Sequence, residues 1–205
     1  MKLYYSPGAC SLASHIVLHE AELKFSAIAA PTKTHTLADG TDYYTINPLG
    51  YVPLLELDDG QRLREGAAIL QYIADQAPDK NLAPKNGTFA RYKLQEWLSF
   101  ISTELHKNFS PLFRPNTPDE SKTAALAQLM SRFKWLDGEL ANKNYLMGDV
   151  FSVADAYLFT VSNWSQHVGL DLSSFSHLLA LRARISARPA VLAAMKAEGL
   201  NSAQK

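Results

Sequence analysis

The sequence lacks several features that would place it in a specialised class of protein. Among 205 residues there is one cysteine, Cys10, so no disulfide can form within the chain. The sequence contains no run of about 18 apolar residues, and we therefore expect no transmembrane helix. The N-terminus also lacks the apolar stretch of a secretory signal peptide, which favours a cytoplasmic location.

An excess of positive or negative charge is also missing. Twenty Lys and Arg residues balance twenty Asp and Glu residues, and the formal net charge is zero. Because nucleic acids and anionic membranes attract strongly basic proteins, we expect neither as a main partner. Neither a G-x-G-x-x-G motif nor a P-loop lysine occurs, so nucleotide binding has no support.

What is present is a globular composition, with 47% hydrophobic and 20% charged residues. In the first 80 residues short strand patterns alternate with helix patterns. The predicted strands are Lys2–Tyr5, Leu23–Ala29, Leu54–Leu57 and Gln61–Arg64, and the predicted helices are Ala9–Ala21, a short one at Tyr43, and Ala67–Ala77. A strand–helix–strand unit predicts a parallel pair, whereas the tight Asp58-Asp59-Gly60 turn predicts an antiparallel pair. The pattern therefore indicates a mixed four-stranded sheet with helices packed on it.

The chain beyond residue 80 is typical of helices only. Residues 78–88 are rich in Pro, Asn, Asp and Gly, and we interpret residues 81–86 as the linker. A long helix is expected over Arg91–Phe109, and Thr117-Pro118-Asp119-Glu120 predicts another, with Thr117 as the N-cap and Glu120 closing a capping box. A second box is predicted at Ser152–Asp155, and further helices near His177 and after Pro189. The fold class is an α/β domain, residues 1–80, followed by an all-α domain, residues 87–205.

Cys10 is the first candidate for chemistry. It follows a Ser-Pro-Gly turn and stands at the start of a predicted helix that follows a strand. Free N–H groups and the helix dipole favour an anion there, which predicts a lowered thiol pKa and a better nucleophile or redox group. The alternative is a small, buried apolar residue. Without a C-x-x-C partner it cannot be a two-cysteine centre, although a mixed disulfide with a small thiol is open to it.

Two loops supply candidate binding groups. Asn47-Pro48 to Val52-Pro53 leads into a strand, and a Val-Pro bond can be cis at modest cost, although an ordinary loop has the same composition. Glu65-Gly66 precedes a helix whose free N–H groups suit a carboxylate, while Glu65 suits an ammonium group. Together they fit an amino-acid-like head, and a plain helix cap is the alternative.

The histidines give weaker signals. His15 and His19 have the i, i+4 spacing that can bind a metal, but no third ligand is evident, so we predict no metal site. His35 lies beside Lys33 in a polar loop. It is a candidate basic group for binding a carboxylate, and a solvated loop residue is the alternative. His106, taken alone, is more typical of a surface or packed residue.

Taken together, these segments resemble a cytosolic-type glutathione transferase over essentially the whole chain. The motifs that carry the resemblance are Ser6-Pro7-Gly8-Ala9-Cys10-Ser11, Asn47-Pro48 to Val52-Pro53, Glu65 with Ala68-Ile69, and the cap at Ser152 to Asp155. Each motif is weak alone, but their order and spacing are specific. Cys10 and His106 in these places resemble the bacterial beta class.

The resemblance implies a thioredoxin-like domain followed by a helical bundle, a homodimer, and glutathione as co-substrate without a metal. It implies that Cys10 faces the glutathione sulfur and that His106 and Lys107 approach the thiol side. The glutathione-binding residues that it implies are Ala9, Cys10, His35, Tyr51, Val52, Pro53, Glu65, Gly66, Ser99, Thr103, Glu104, His106 and Lys107. Of these, Ser99, Thr103 and Glu104 would act from the neighbouring subunit.

Two positions depart from the family pattern. Gly66 replaces a serine whose hydroxyl would bond the γ-glutamyl carboxylate, and Ser99 stands where beta-class members often have asparagine. One lost bond to a charged group costs about 1.5–3 kcal/mol, or roughly tenfold or more in affinity. Both changes predict weaker glutathione binding without a change of fold.

The expected activity is transfer of alkyl or aryl groups to glutathione in detoxification, with reductase or peroxidase side activity through Cys10. Two alternatives are a non-catalytic interaction module of the same fold and a glutathione-dependent isomerase or lyase. The second substrate is small and is either an electrophile or a disulfide. Its candidate lining residues are Phe109, Phe113, Trp164 and His167.

Overall fold

The computed structural model describes residues 1–200, and its first part is built on a mixed sheet. The four strands in these residues are β1 (Lys2–Tyr5), β2 (Ser26–Ala29), β3 (Leu54–Glu56) and β4 (Arg62–Leu63), in the spatial order β2-β1-β3-β4. β1 pairs with β2 in parallel, and β3 pairs with β1 and β4 in antiparallel fashion. The predicted mixed four-stranded sheet is therefore confirmed.

Both faces of the sheet are covered because the central strands alternate apolar residues toward each side. Leu3 lies opposite Leu55, and Tyr4 lies opposite Leu54. All four are buried. Tyr4 and Leu54 belong to a core that also contains Tyr43 and Val52. This core places the loop before β3 against the sheet, and that loop carries part of the candidate site.

The helices of the chain agree closely with the sequence patterns. They are α1 (Ser11–Glu20), α2 (Gly66–Gln76), α3 (Phe89–Phe100), α4 (Lys107–Phe113), α5 (Asp119–Glu139), α6 (Val153–Asn163), α7 (Ser176–Ser186) and α8 (Pro189–Ala197). The single helix expected over Arg91–Phe109 is continuous along the chain, but Ile101–His106 forms a π-helical turn between α3 and α4. Such turns are rare in proteins, and those that do occur often lie at functional sites.

The described chain separates into two compact units. Residues 84–185 form one unit, and residues 1–83 form the other together with the last segment, which begins at Ser186. The last segment joins the first unit because α8 packs on α1. Arg188 also donates two hydrogen bonds to the Glu20 carboxylate, at 2.6 and 2.8 Å. No sequence pattern indicates this return of the chain.

The predicted capping box of Thr117 and Glu120 is wrong. Pro118 has ψ 145°, and the helix begins at Asp119, one residue later than expected. Pro118 is itself the N-cap, since its carbonyl accepts the N–H of Lys122 at 3.1 Å. Proline has no side-chain acceptor, so this helix start has no side-chain cap.

The second predicted cap is confirmed. The Asp155 carboxylate accepts the backbone N–H of Ser152 at 2.8 Å, and its other oxygen accepts the N–H of Leu146 at 2.8 Å. Both bonds are buried and fix the start of α6. Burial raises the pKa of Asp155 to about 6, against the lowering effect of these hydrogen bonds. Across residues 1–200, none of the helices combines the length and the hydropathy needed to span a bilayer.

Candidate active site

Cys10 is the N-cap residue of α1 and is half-buried. The turn before it is fixed by Ser11, whose hydroxyl accepts the N–H of Ser6 at 3.1 Å and donates to the Ser6 carbonyl at 3.3 Å. The Cys10 thiol donates to the backbone carbonyl of Val52, with Sγ 3.1 Å from the oxygen. Two segments that are 42 residues apart in sequence therefore meet at the sulfur.

The prediction that the helix start lowers the thiol pKa is wrong. Burial raises the pKa of Cys10 to about 12. The backbone N–H groups of Cys10 and Ser11 lower it by less than burial raises it, and the charge of Glu65 raises it further. A buried thiol loses hydration that its thiolate needs, so the helix dipole is outweighed. Cys10 is therefore a neutral S–H group at neutral pH.

The loop that faces Cys10 is held rigidly. The Val52–Pro53 peptide bond is cis. The carbonyl of Tyr51 accepts two hydrogen bonds, from the Tyr43 hydroxyl at 2.9 Å and from the Asn47 side chain at 2.8 Å. The N–H of Val52 meets no acceptor among residues 1–200, so an extended ligand can pair with it.

Glu65 occupies a strained position at the start of α2. It has φ 66° and ψ 115° and is the N-cap of the helix, yet its side chain makes no cap bond. A positive φ in a residue other than glycine costs about 1–3 kcal/mol and is concentrated at functional sites. The first N–H groups of α2, beginning with Gly66, have no acceptor within the helix. The Glu65 carboxylate and the first free N–H groups therefore belong to adjacent residues at this helix start.

His35 packs against the loop of residues 47–53, which also faces Cys10. Its ring lies 4.4 Å from that of Tyr44, between centroids, and its Nδ1 atom is buried without a hydrogen-bond partner among residues 1–200. Gly50, at φ +67°, allows this packing. A Cβ atom there would stand 2.7 Å from Tyr44 Cε1 and 2.9 Å from His35 Cε1.

His106 belongs to the second unit and lies at the end of the π-helical turn. Its Nδ1 atom is 2.6 Å from the hydroxyl of Tyr157, and its ring meets that of Trp164 edge-on, with centroids 4.9 Å apart. Burial lowers the pKa of His106 to about 4, and the charge of Lys107 contributes. The imidazole is therefore neutral at neutral pH.

The other predicted residues of the second unit differ in their surroundings. Ser99, Thr103 and Lys107 are exposed. The Thr103 hydroxyl donates to the Ser99 carbonyl at 3.0 Å. Glu104 accepts a 2.6 Å hydrogen bond from Arg132, so its carboxylate is already paired within the chain.

The proposed lining residues form an aromatic cluster with one exception. Phe109 is fully buried, and its ring centroid is 6.2 Å from that of Phe113 and 5.6 Å from that of Trp164. Phe113 is half exposed and gives the cluster an open edge. His167 is exposed, and its side chain makes no ring contact or hydrogen bond within residues 1–200.

His15 and His19 do not form a metal site with other residues. The His15 side chain bonds to Glu198, and its ring stacks on that of His19, with centroids 5.3 Å apart. Among residues 1–200, His, Cys, Asp and Glu side chains form no group of three suited to a metal ion.

Sequence reasoning missed three residues that shape the site. Tyr43 and Asn47 hold the Tyr51 carbonyl, and Tyr157 bonds His106. Asn47 lies in the Asn47-Pro48 to Val52-Pro53 motif, but the partner of its side chain depends on the conformation of the loop. Nothing in the spacing of Tyr157 from His106, 51 residues apart, indicates their contact.

The fold and site define a class of protein in which a thioredoxin-like unit, with a cis-proline opposite a helix-start cysteine, is joined to an all-helical unit. Residues 8–76 match the family model described as "Glutathione S-transferase, N-terminal domain", and residues 100–189 match "Glutathione S-transferase, C-terminal domain". The chain belongs to the glutathione S-transferase family.

Close relatives support this assignment over the full length. Glutathione S-transferase GstA of Escherichia coli O157:H7 is 47% identical over 200 residues, covering 98% of this chain and 100% of the relative. The solved structure of a bacterial beta class transferase of Sphingomonas chungbukensis is 50% identical, with a TM-score of 0.95, covering 98% and 100% of the two chains. A sphingomonad transferase complexed with glutathione is 47% identical, with a TM-score of 0.94 and the same coverage. The resemblance to the beta class is confirmed.

Proposed function

We propose that the chain binds reduced glutathione in its first unit and promotes attack of the glutathione thiolate on a small electrophile. The observation that carries this proposal is the contact of the Cys10 thiol with the carbonyl of Val52, whose own N–H has no acceptor within residues 1–200. Family membership and a glutathione-bound relative that is 47% identical support it.

Each part of the tripeptide has a chemical counterpart in this unit. The backbone of Val52 pairs with the cysteinyl part, and Pro53 follows it in the same loop. Glu65 receives the α-ammonium group, and the N–H of Gly66 receives the α-carboxylate, which a helix start favours. His35 meets the glycyl carboxylate. Ala9 and Tyr51 border the site through their backbones.

The reaction needs one proton transfer and one substitution, in which a carbon–sulfur bond forms and the bond to the leaving group breaks. The glutathione thiol loses its proton to solvent, and its thiolate attacks an electrophilic carbon while the leaving group departs with the bonding pair. When glutathione is bound, the neutral Cys10 thiol turns from the Val52 carbonyl and donates its single hydrogen bond to that thiolate, which lowers the pKa of the bound thiol. This is stabilisation of a developing charge by a preorganised donor.

The raised pKa of Cys10 favours this hydrogen-bonding role over a covalent one. A mixed disulfide with glutathione would require a Cys10 thiolate, which is scarce at neutral pH when the pKa is about 12. Reductase and peroxidase activities are therefore secondary in this proposal.

The second unit supplies the remaining groups. His106 and Lys107 approach the thiol side, and the aromatic cluster of Phe109, Phe113 and Trp164 receives the electrophile, with His167 at its edge. In the proposed homodimer, Ser99, Thr103 and Glu104 reach the γ-glutamyl end bound by the neighbouring chain. We place the enzyme in the cytoplasm, in detoxification.

Calorimetric titration with reduced glutathione tests the proposal. We expect one site per chain, with a Kd between micromolar and low millimolar, together with turnover of an aryl halide. Cys10→Ala should lower kcat while leaving the glutathione Kd nearly unchanged, and His106→Ala should lower turnover modestly. The absence of both binding heat and thermal stabilisation at about 10 mM glutathione would overturn the proposal.

A further inference from the structure

One short hydrogen bond joins His106 to a tyrosine on another helix. His106 Nδ1 is 2.6 Å from the hydroxyl oxygen of Tyr157, which lies on α6 and is 3% exposed. Asp155, two residues before Tyr157, caps this helix at its start at Val153, so the position of the hydroxyl is well defined.

The direction of this hydrogen bond follows from its length and from the two groups. N–H···O hydrogen bonds are most often about 2.9–3.0 Å long, whereas hydrogen bonds donated by an O–H group to oxygen are most often about 2.7–2.8 Å and extend down to about 2.5 Å. A phenol is also a stronger donor than a neutral imidazole, and an unprotonated ring nitrogen is the stronger acceptor. The length and the chemistry of the two groups favour donation by the Tyr157 hydroxyl to Nδ1, which would leave the ring proton of His106 on Nε2.

The ring of His106 is also held from the side. The Trp164 ring meets it at an interplanar angle of 71°, and the Tyr157 ring at 87°. A rotation of the imidazole that exchanged its two edges would place a C–H group against the Tyr157 hydroxyl and lose the hydrogen bond. These contacts restrict the orientation of the ring and keep Nδ1 facing the Tyr157 hydroxyl.

We infer that Tyr157 is a positioning residue that locks His106 as its Nε2–H tautomer, so that His106 serves the reaction as a hydrogen-bond donor. A general base needs a free ring lone pair. Here the Nδ1 lone pair is used by Tyr157, and Nε2 carries the proton. The donor acts on the reacting sulfur or on the departing group, and this use of it rests on the proposed function.

The tautomer is measured directly by ¹⁵N NMR of the imidazole nitrogens in the wild-type chain. His106→Ala identifies the signals, since five other histidines are present in the sequence. We expect a neutral ring with an unprotonated Nδ1 and a protonated Nε2. A protonated Nδ1 would overturn the inference, and this result requires no variant of Tyr157 to fold.

The consequence for catalysis is tested with Tyr157→Phe. We expect kcat to fall about threefold to tenfold, the value of one ordinary hydrogen bond, while KM and Kd for glutathione stay unchanged. The His106 signals should also shift toward a mixture of tautomers. Tyr92→Phe, at an exposed position in the same unit, is the matched control and should change nothing.

The outcomes separate this inference from the proposed function. An unchanged kcat and an unchanged tautomer in Tyr157→Phe would overturn the positioning role even if glutathione turnover is normal. A wild-type chain that shows the expected tautomer but neither binds nor turns over glutathione would overturn the proposed function and the donor role that depends on it.

Discussion

His15 and Glu198 form a buried pair, with Nδ1 and Oε1 2.9 Å apart and side-chain exposures of 2% and 0%. The other carboxylate oxygen of Glu198 accepts the backbone N–H of Gly8 at 2.9 Å. Glu198 follows α8 directly, and Gly8 lies in the turn before Cys10. The last segment of the first unit therefore supports the loop that presents the thiol.

Replacing Glu198 with alanine should destabilise the protein strongly. The change leaves the buried His15 imidazole without its carboxylate partner and removes the hydrogen bond from the half-buried Gly8 N–H, and losses of about 2–5 kcal/mol are typical of such sites. Denaturant unfolding measures the free energy. Glu22→Ala removes an exposed ion pair with Lys80 and should cost less than about 1 kcal/mol. Equal losses in the two variants would show that the Glu198 contacts are not made.

The Cys10 thiol should react slowly with thiol reagents at neutral pH. Because it is the only cysteine in the chain, alkylation reports on it alone. With a pKa raised to about 12, its thiolate fraction at pH 7 is far below that of free cysteine. We expect alkylation at least about a hundredfold slower than that of free cysteine, and the rate should rise with pH beyond pH 9. The chain unfolded in guanidinium is the control, and native reactivity equal to it would favour the covalent role of Cys10.

Gly50→Ala should destabilise the first unit more than Gly60→Ala does. Both glycines have positive φ, +67° and +85°, so both substitutions strain the backbone. Only at position 50 would the new Cβ press on the Tyr44 and His35 rings, whereas nothing lies within 4 Å of it at position 60. We expect an additional loss of about 1–3 kcal/mol for Gly50→Ala in denaturant unfolding. Its glutathione affinity should also fall, because His35 is displaced.

Gly66→Ser should strengthen glutathione binding. A Cβ atom at this position has open space around it, and its φ is not in the left-handed region. The added hydroxyl can donate to the γ-glutamyl carboxylate, and such a bond is worth about 1.5–3 kcal/mol, or roughly tenfold or more in Kd. Gly66→Ala separates the hydroxyl from the change in backbone freedom. If both variants bind glutathione as the wild type does, the carboxylate does not lie at this helix start.

Local patterns in the sequence predicted most of the architecture. The strand–helix–strand order and the Asp58-Asp59-Gly60 turn specified a mixed sheet, and Ser152 with Asp155 specified the start of α6. These signals are local, because periodicity, turn residues and caps act over a few residues. The start of α5 was misjudged at Thr117 because the extended backbone of Pro118 makes the proline itself the N-cap.

The chemical state of the candidate site was decided by tertiary structure alone. Sequence position placed Cys10 at a helix start, where the dipole lowers a thiol pKa, but burial under distant segments raises it to about 12. The same holds for His106, whose neutral state and Tyr157 partner depend on packing of the helical unit. Desolvation and long-range hydrogen bonds depend on which residues meet in space. The sequence by itself therefore determined the positions of the reactive groups along the chain. Only the tertiary structure determined their protonation and orientation.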